Sequence, residues 1–146
     1  MTHPITRMGG LIVILALVGA ACSGGGGSAS SPSAPGPAGT ITVGTDRANN
    51  HGSAAVSGSS KASVELDETF CAPTVLQGKP GQTLTLELHN SGTALHNISI
   101  DAQHIDQDVQ RGQNATVTVT FPQSGIVEFY CKYHRAAGMV GELTVG

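Results

Sequence analysis

The chain is short of the residue types from which several kinds of protein are made. Among 146 residues there is no Trp, and there are only three Cys, three Met, three Phe and two Tyr. So few large side chains limit it to one modest domain beside whatever else it carries. Cys22, Cys71 and Cys131 stand far apart, which excludes zinc sites built on C-x2-C pairs and haem attachment through C-x-x-C-H. Positive charge is scarce as well. From Ala62 to Gly146 the acidic Glu65, Asp67, Glu68, Glu87, Asp101, Asp106, Asp108, Glu128 and Glu142 face only Lys79, Arg111, Lys132 and Arg135. A nucleic-acid partner needs a basic face to neutralise phosphates, and this balance argues against one.

Long apolar runs are missing too. MGGLIVILALVGAA, from Met8 to Ala21, follows Arg7 and is shorter than the roughly 17–25 residues a spanning helix needs. It reads as an export signal over residues 1–21. Its end, VGAAC, resembles a bacterial lipoprotein signal. That resemblance implies a lipid on Cys22 and a membrane anchor on the extracytoplasmic side, although Gly19 stands where that family favours Leu. A periplasmic or secreted soluble form is the alternative. Residues 22–61 begin CSGGGGSASSPSAPGPAG, too poor in apolar side chains for a core, and read as a flexible, disordered tether. TITVGT within it has the composition of a short strand, but DRANNHGSAAVSGSSK returns to linker chemistry. The folded domain is therefore expected over 62–146.

That domain carries strand patterns. Leu84, Leu86 and Leu88 alternate with polar residues in TLTLELH, as do Val117, Val119 and Phe121 in ATVTVTF. Period two marks half-buried strands. Val64 with Leu66, Ile98 with Ile100, Val127 with Phe129 and Leu143 with Val145 add inward pairs, separated by GKPGQ, HNSGT, RGQN and FPQSG as turns. Six or seven such strands imply an all-β, two-sheet sandwich. DAQHIDQDVQRG is expected to be a short helical turn or a loop, with Ile105 and Val109 spaced i, i+4.

Strand phase gathers the ligand-type residues. Counting back by two from Cys131 meets Phe129 and Val127, so the thiol lies on the core face at the end of its strand. His96 is in phase with Ile98 and Ile100 and points inward as well. His134 and Met139 follow Cys131 in a loop that Ala136, Ala137 and Gly138 allow to turn back. One thiolate, two imidazoles and a more distant thioether make the trigonal donor set of blue copper, where soft sulfur favours Cu(I) and a rigid scaffold also accepts Cu(II). Met139 is the only Met outside the signal segment. Cys71 is expected to be a buried free thiol. His89 reads as solvated, and His51 and His104 read as bystanders in the tether and the irregular segment.

GTALHNISI and TFPQSGIVEFYCKYHRAAGMVGELTVG resemble the cupredoxins, the plastocyanin-like small blue copper proteins, over roughly Val64 to Gly146. The resemblance implies a Greek-key sandwich holding one copper, with His96, Cys131 and His134 in the plane and Met139 as the axial ligand. It also implies that Asn97 ties the two ligand-bearing segments together. Unlike many plastocyanins, the loop contains no Pro, and a less stiff loop is expected.

Two functions follow from that donor set. One is a monomeric carrier of single electrons between redox protein partners at the cell envelope. The other is copper storage, buffering or delivery outside the cytoplasm. An enzyme is not expected, since blue copper sites are coordinatively closed. Lys132 and Arg135 flank His134 in an otherwise acidic domain, and the expectation is that they attract an acidic partner, with an encounter rate that falls as salt rises.

Overall fold

The computed structural model describes residues 39–146, all of it strand, turn and two single 3-10 turns. Short alternating segments separated by glycine and proline leave no run of helical period, and twelve strands result. A hairpin comes first: β1 (Gly39–Val43) and β2 (Asp46–Asn50) pair antiparallel, with Gly44 at φ 57° opening the two-residue loop between them. Then follow β3 (Ser53–Ala55), β4 (Lys61–Asp67), β5 (Phe70–Ala72), β6 (Val75–Gly78), β7 (Thr83–Asn90) and β8 (His96–Ile100). The chain closes with β9 (Ile105–Val109), β10 (Asn114–Thr120), β11 (Ile126–Tyr130) and β12 (Val140–Val145).

Two sheets form the expected cupredoxin-like sandwich. One has the order β10-β7-β4-β5 and the other β3-β6-β12-β11-β8-β9. Sequence neighbours such as β7 and β8 lie in different sheets, so the chain crosses the core repeatedly. The inward residues read from period two meet there: Val64, Leu66, Leu84, Leu86, Leu88, Ile98, Ile100, Val119, Phe121, Phe129 and Leu143 are all buried in one cluster.

Two expectations are corrected. Residues 39–55, expected to be tether, form β1, β2 and β3. DRANN contributes little apolar surface, but the hairpin has a small core of its own in which Val43 and Ala48 pack with Val140, Ile41 and Tyr130. The segment after Ile100 begins with a short helical turn, a 3-10 turn over Asp101–Gln103, but Ile105–Val109 is a strand, β9, rather than helix or loop. Ile105 and Val109 share a face at a spacing of four in a strand just as they do in a helix, and pairing with β8 selects the strand. The signal segment, Cys22 and the start of the tether lie outside the described residues.

Candidate metal centre

Three strands end at the same pole of the sandwich. Tyr130, the last residue of β11, pairs with Val140 at the start of β12 and with Ser99 of β8. Cys131 therefore leaves β11, Met139 enters β12, and His96 opens β8, all side by side. His96, Cys131 and Met139 are fully buried, while His134 is only partly covered. The loop between Cys131 and Met139 closes on itself. Cys131 N–H donates to the Met139 carbonyl at 3.0 Å, His134 N–H to the Cys131 carbonyl at 3.0 Å, and Met139 N–H to the His134 carbonyl at 3.2 Å.

The donor atoms converge. Nδ1 of His96 lies 3.9 Å from Sγ of Cys131, and Nδ1 of His134 lies 3.5 Å from the same sulfur. The two imidazole rings are 4.9 Å apart, tilted by 57°. One ligand atom from each of the three residues lies within 4.8 Å of the other two. A trigonal ion with nitrogen bonds of about 2.0–2.1 Å and a sulfur bond of about 2.3 Å would hold N and S about 3.8 Å apart. The observed N to S separations bracket that value, so the donor set fits one small, soft-accepting metal ion. Met139, fully buried, is joined to Cys131 by the backbone bond just described.

Burial and neighbouring charge prepare the ligands. Loss of water, reinforced by His134, lowers the His96 pKa against the opposing pull of Glu68 and Asp67. Neutral imidazole is the metal-binding form. With Nδ1 turned toward Cys131, Nε2 of His96 is left without a hydrogen-bond partner. It fills the space over Gly92, where an added Cβ would sit 2.5 Å from it. Gly92 lies in a turn organised by buried Asn90, whose side chain accepts from Gly92 N–H at 3.0 Å and donates to the carbonyls of Ala94 and Val109.

Asn97, itself fully buried, joins the two ligand-bearing segments through a network that runs out to the surface. Its Oδ1 accepts from Ser99 Oγ at 2.6 Å and from Lys132 N–H at 3.4 Å. Its Nδ2 donates to Asp106 at 2.6 Å and Asp108 at 3.0 Å. The same two carboxylates hold Lys132 Nζ at 2.7 and 3.0 Å, and Tyr133 donates to Asp108. Hydrogen bonds from Lys132 and then Asn97 keep both carboxyls below their ordinary pKa. Arg135 is bound by Asp46 at 2.7 Å and by Glu128, and lies 4.0 Å from the centre of the Tyr130 ring. Each loop cation is therefore held by two carboxylates. Neither cation is an unpaired charge: the two stand among four carboxylates.

Cys71 is buried and free, and burial, with Cys131 adding to it, pushes its thiol pKa up. It behaves as a small apolar side chain. His51 stacks on Phe70 at 3.5 Å, and His89 is partly exposed and bonded to Glu65 at 2.7 Å. Among the described residues, the His96, Cys131 and His134 group is the one cluster with metal-ligand geometry. Asn49, Asp46, Asn90, Gly92, Asp106 and Asp108 shape the centre without having been singled out in the sequence. The available signal was composition alone, since Asn, Asp and Gly in such numbers mark turns and caps.

Comparison with known proteins agrees with this geometry. Residues 37–145 match the family model described as Cupredoxin-like domain. A plastocyanin of Sambucus nigra is 31% identical over 77 residues, covering 44% of this chain and 76% of the relative. Plastocyanin B'/B'' of Nicotiana tabacum is 41% identical over 49 residues, with 32% of this chain and 50% of that protein covered. The chain thus spans about half the length of that relative, and 30% of the major plastocyanin isoform of Arabidopsis thaliana. Among solved structures, dithionite-reduced auracyanin of the photosynthetic bacterium Roseiflexus castenholzii shares the fold with a TM-score of 0.51 and 24% identity, covering 60% of this chain and 98% of that one. The metal-binding domain of the Cu(I)-exporting P-type ATPase of Streptococcus pneumoniae D39 does so with a TM-score of 0.51 and 17% identity, covering 64% and 96%.

Proposed function

This chain belongs to the cupredoxin-like family, whose cofactor is copper, and from that premise we propose that it is a blue copper protein carrying single electrons between redox partners. His96, Cys131 and His134 hold one copper, with Met139 as the fourth, weaker ligand. Bound there, copper supplies one electron through its Cu(I) and Cu(II) states. The observation that carries the reading is the mutual approach of the three ligand atoms within 4.8 Å, contributed by β8 and the loop after β11. Buried His96 and Cys131 exclude water. Asn97 and the loop's own backbone bonds keep the donors in place whichever charge the site holds. His134, partly exposed, supplies the edge over which a partner protein docks.

The domain works outside the cytoplasm, tethered to a membrane through Cys22. Support for this is the apolar segment from Met8 to Ala21 ending in VGAAC. Copper storage or delivery would use the same ligands but requires ready release. The deciding experiment uses the copper-loaded protein, cycled between oxidised and reduced forms in the presence of a strong Cu(I) chelator. An electron carrier cycles repeatedly with its copper retained. Loss of the metal to the chelator on each reduction would overturn the reading in favour of delivery.

A further inference from the structure

The hairpin of β1 and β2 touches the metal loop and its flanks at four places. On the apolar side, Tyr130 and Val140, which flank Cys131 and Met139 and point to the opposite face of their strands, pack with Val43, Ala48 and Ile41. On the polar side, Asn49 of β2 donates its backbone N–H to the Gly138 carbonyl at 2.9 Å. Its side-chain Nδ2 donates to the Ala137 carbonyl at 2.9 Å and to the Thr69 carbonyl at 2.9 Å. Asp46, also of β2, receives Arg135. Ala137 and Gly138 are the residues that connect His134 to Met139.

We propose that this hairpin is a brace that holds the His134 to Met139 segment in its metal-ready shape before any metal arrives, with Asn49 as the positioning residue. A loop of this size without Pro has many conformations to lose on binding metal, and ordering it beforehand raises affinity and slows release. The two amide hydrogens of Asn49 suit this role. They join the metal loop on one side to Thr69, just before β5, on the other, so that a rotation of the loop breaks bonds to two elements at once. Close packing adds to this, since an added Cβ at Gly138 would meet the Asn49 side chain at 2.8 Å. Asp46 and the Tyr130 to Val140 contact are further struts, so loss of Asn49 alone should loosen the loop without unfolding the domain.

The statement about copper release rests on the function proposed above, whereas the statement about loop order does not. The test is hydrogen exchange by mass spectrometry on the copper-free full chain, comparing wild type with Asn49→Ala, Asn49→Asp, Asp46→Asn and Arg47→Ala. Arg47 bonds within the hairpin to Thr40 and serves as the control. Loss of two hydrogen bonds corresponds to exchange at least about fivefold and up to about a hundredfold faster, with about tenfold taken as the working expectation. Asn49→Ala should show that increase in the peptide covering 134–139 while β7 stays protected. Asn49→Asp should do the same, because its carboxylate has no N–H and would face two carbonyls. Arg47→Ala should match wild type. Copper loss to a chelator should accelerate by a similar factor in both Asn49 variants, with a changed visible spectrum. If β7 also loses protection in the Asn49 variants, Asp46→Asn decides, with about threefold faster loop exchange expected. Wild-type exchange in the loop of the folded variants would overturn the proposal. Wild-type protein without thiolate-to-copper absorption would instead overturn the copper reading and leave the exchange result to judge the brace.

Discussion

Gly92→Ala places a single methyl group against the back of a metal ligand. The new Cβ would lie 2.5 Å from Nε2 of His96, 3.2 Å from its Cδ2 and 3.0 Å from the backbone nitrogen of Glu68, where ordinary contact begins near 3.4 Å. Relief requires a shift of about 0.9 Å, shared between the turn and the ring. The turn is poorly able to give, because Gly92 N–H is bonded to both Asn90 Oδ1 and the Leu66 carbonyl. The ring has no free space either, being fully buried with Cys131 Sγ only 3.9 Å from Nδ1 on its other side. Such overpacking costs about 1–3 kcal/mol of folding stability. A ligand displaced by most of an ångström should weaken copper binding by about tenfold to a hundredfold, in line with the sensitivity of metal sites to their supporting contacts. The assay is a chelator competition on the loaded protein together with urea denaturation of the copper-free form. Unchanged affinity and spectrum in a folded Gly92→Ala protein would show that His96 is not held against this turn as described.

Other expected outcomes are independent of that one. Cys131→Ser should abolish the intense thiolate-to-copper absorption while β-sheet circular dichroism persists, whereas Cys71→Ala should retain the absorption, because that thiol is not one of the converging ligand atoms. Phe121, buried and packed against the bare face of Gly78, should cost about 3–5 kcal/mol in urea denaturation when replaced by Ala, without altering the copper spectrum. The carboxyls of Asp106 and Asp108 are held below their ordinary value of 3.8 by Lys132 and Asn97. Their contribution to stability is therefore fully present above that pH and lost as pH falls through the lowered values. Thermal melts of the copper-free protein should fall below about pH 4, and Lys132→Met should flatten that fall. An unaltered acid slope in the variant would contradict the assignment.

Much of this site could be read from strand phase. Period two alone put Cys131 with Phe129 and His96 with Ile98 on inward faces, and burial of all four residues at the core agrees. Apart from the Asn97 link to Lys132, which the family resemblance implied, the contacts made by polar residues at a distance in sequence escaped. Asn49 sits in DRANN, whose composition is that of a linker, and its partners Thr69 and Ala137 are 20 and 88 residues away. No local pattern reports such bonds. The charge of Lys132 and Arg135 was visible, but its neutralisation by Asp106, Asp108, Asp46 and Glu128 depends on β9, β2 and β11 lying beside the loop. The β9 strand was missed because a spacing of four residues satisfies helix and strand alike.

X-ray absorption at the copper edge of the loaded protein, recorded in both oxidation states, tests the central claim most directly. The account predicts one short sulfur and two imidazole nitrogens around copper, with little change in ligand number or distance on reduction, because His96, Cys131 and His134 are already gathered by the fold. Absence of the short sulfur, or loss of an imidazole on reduction, would contradict it.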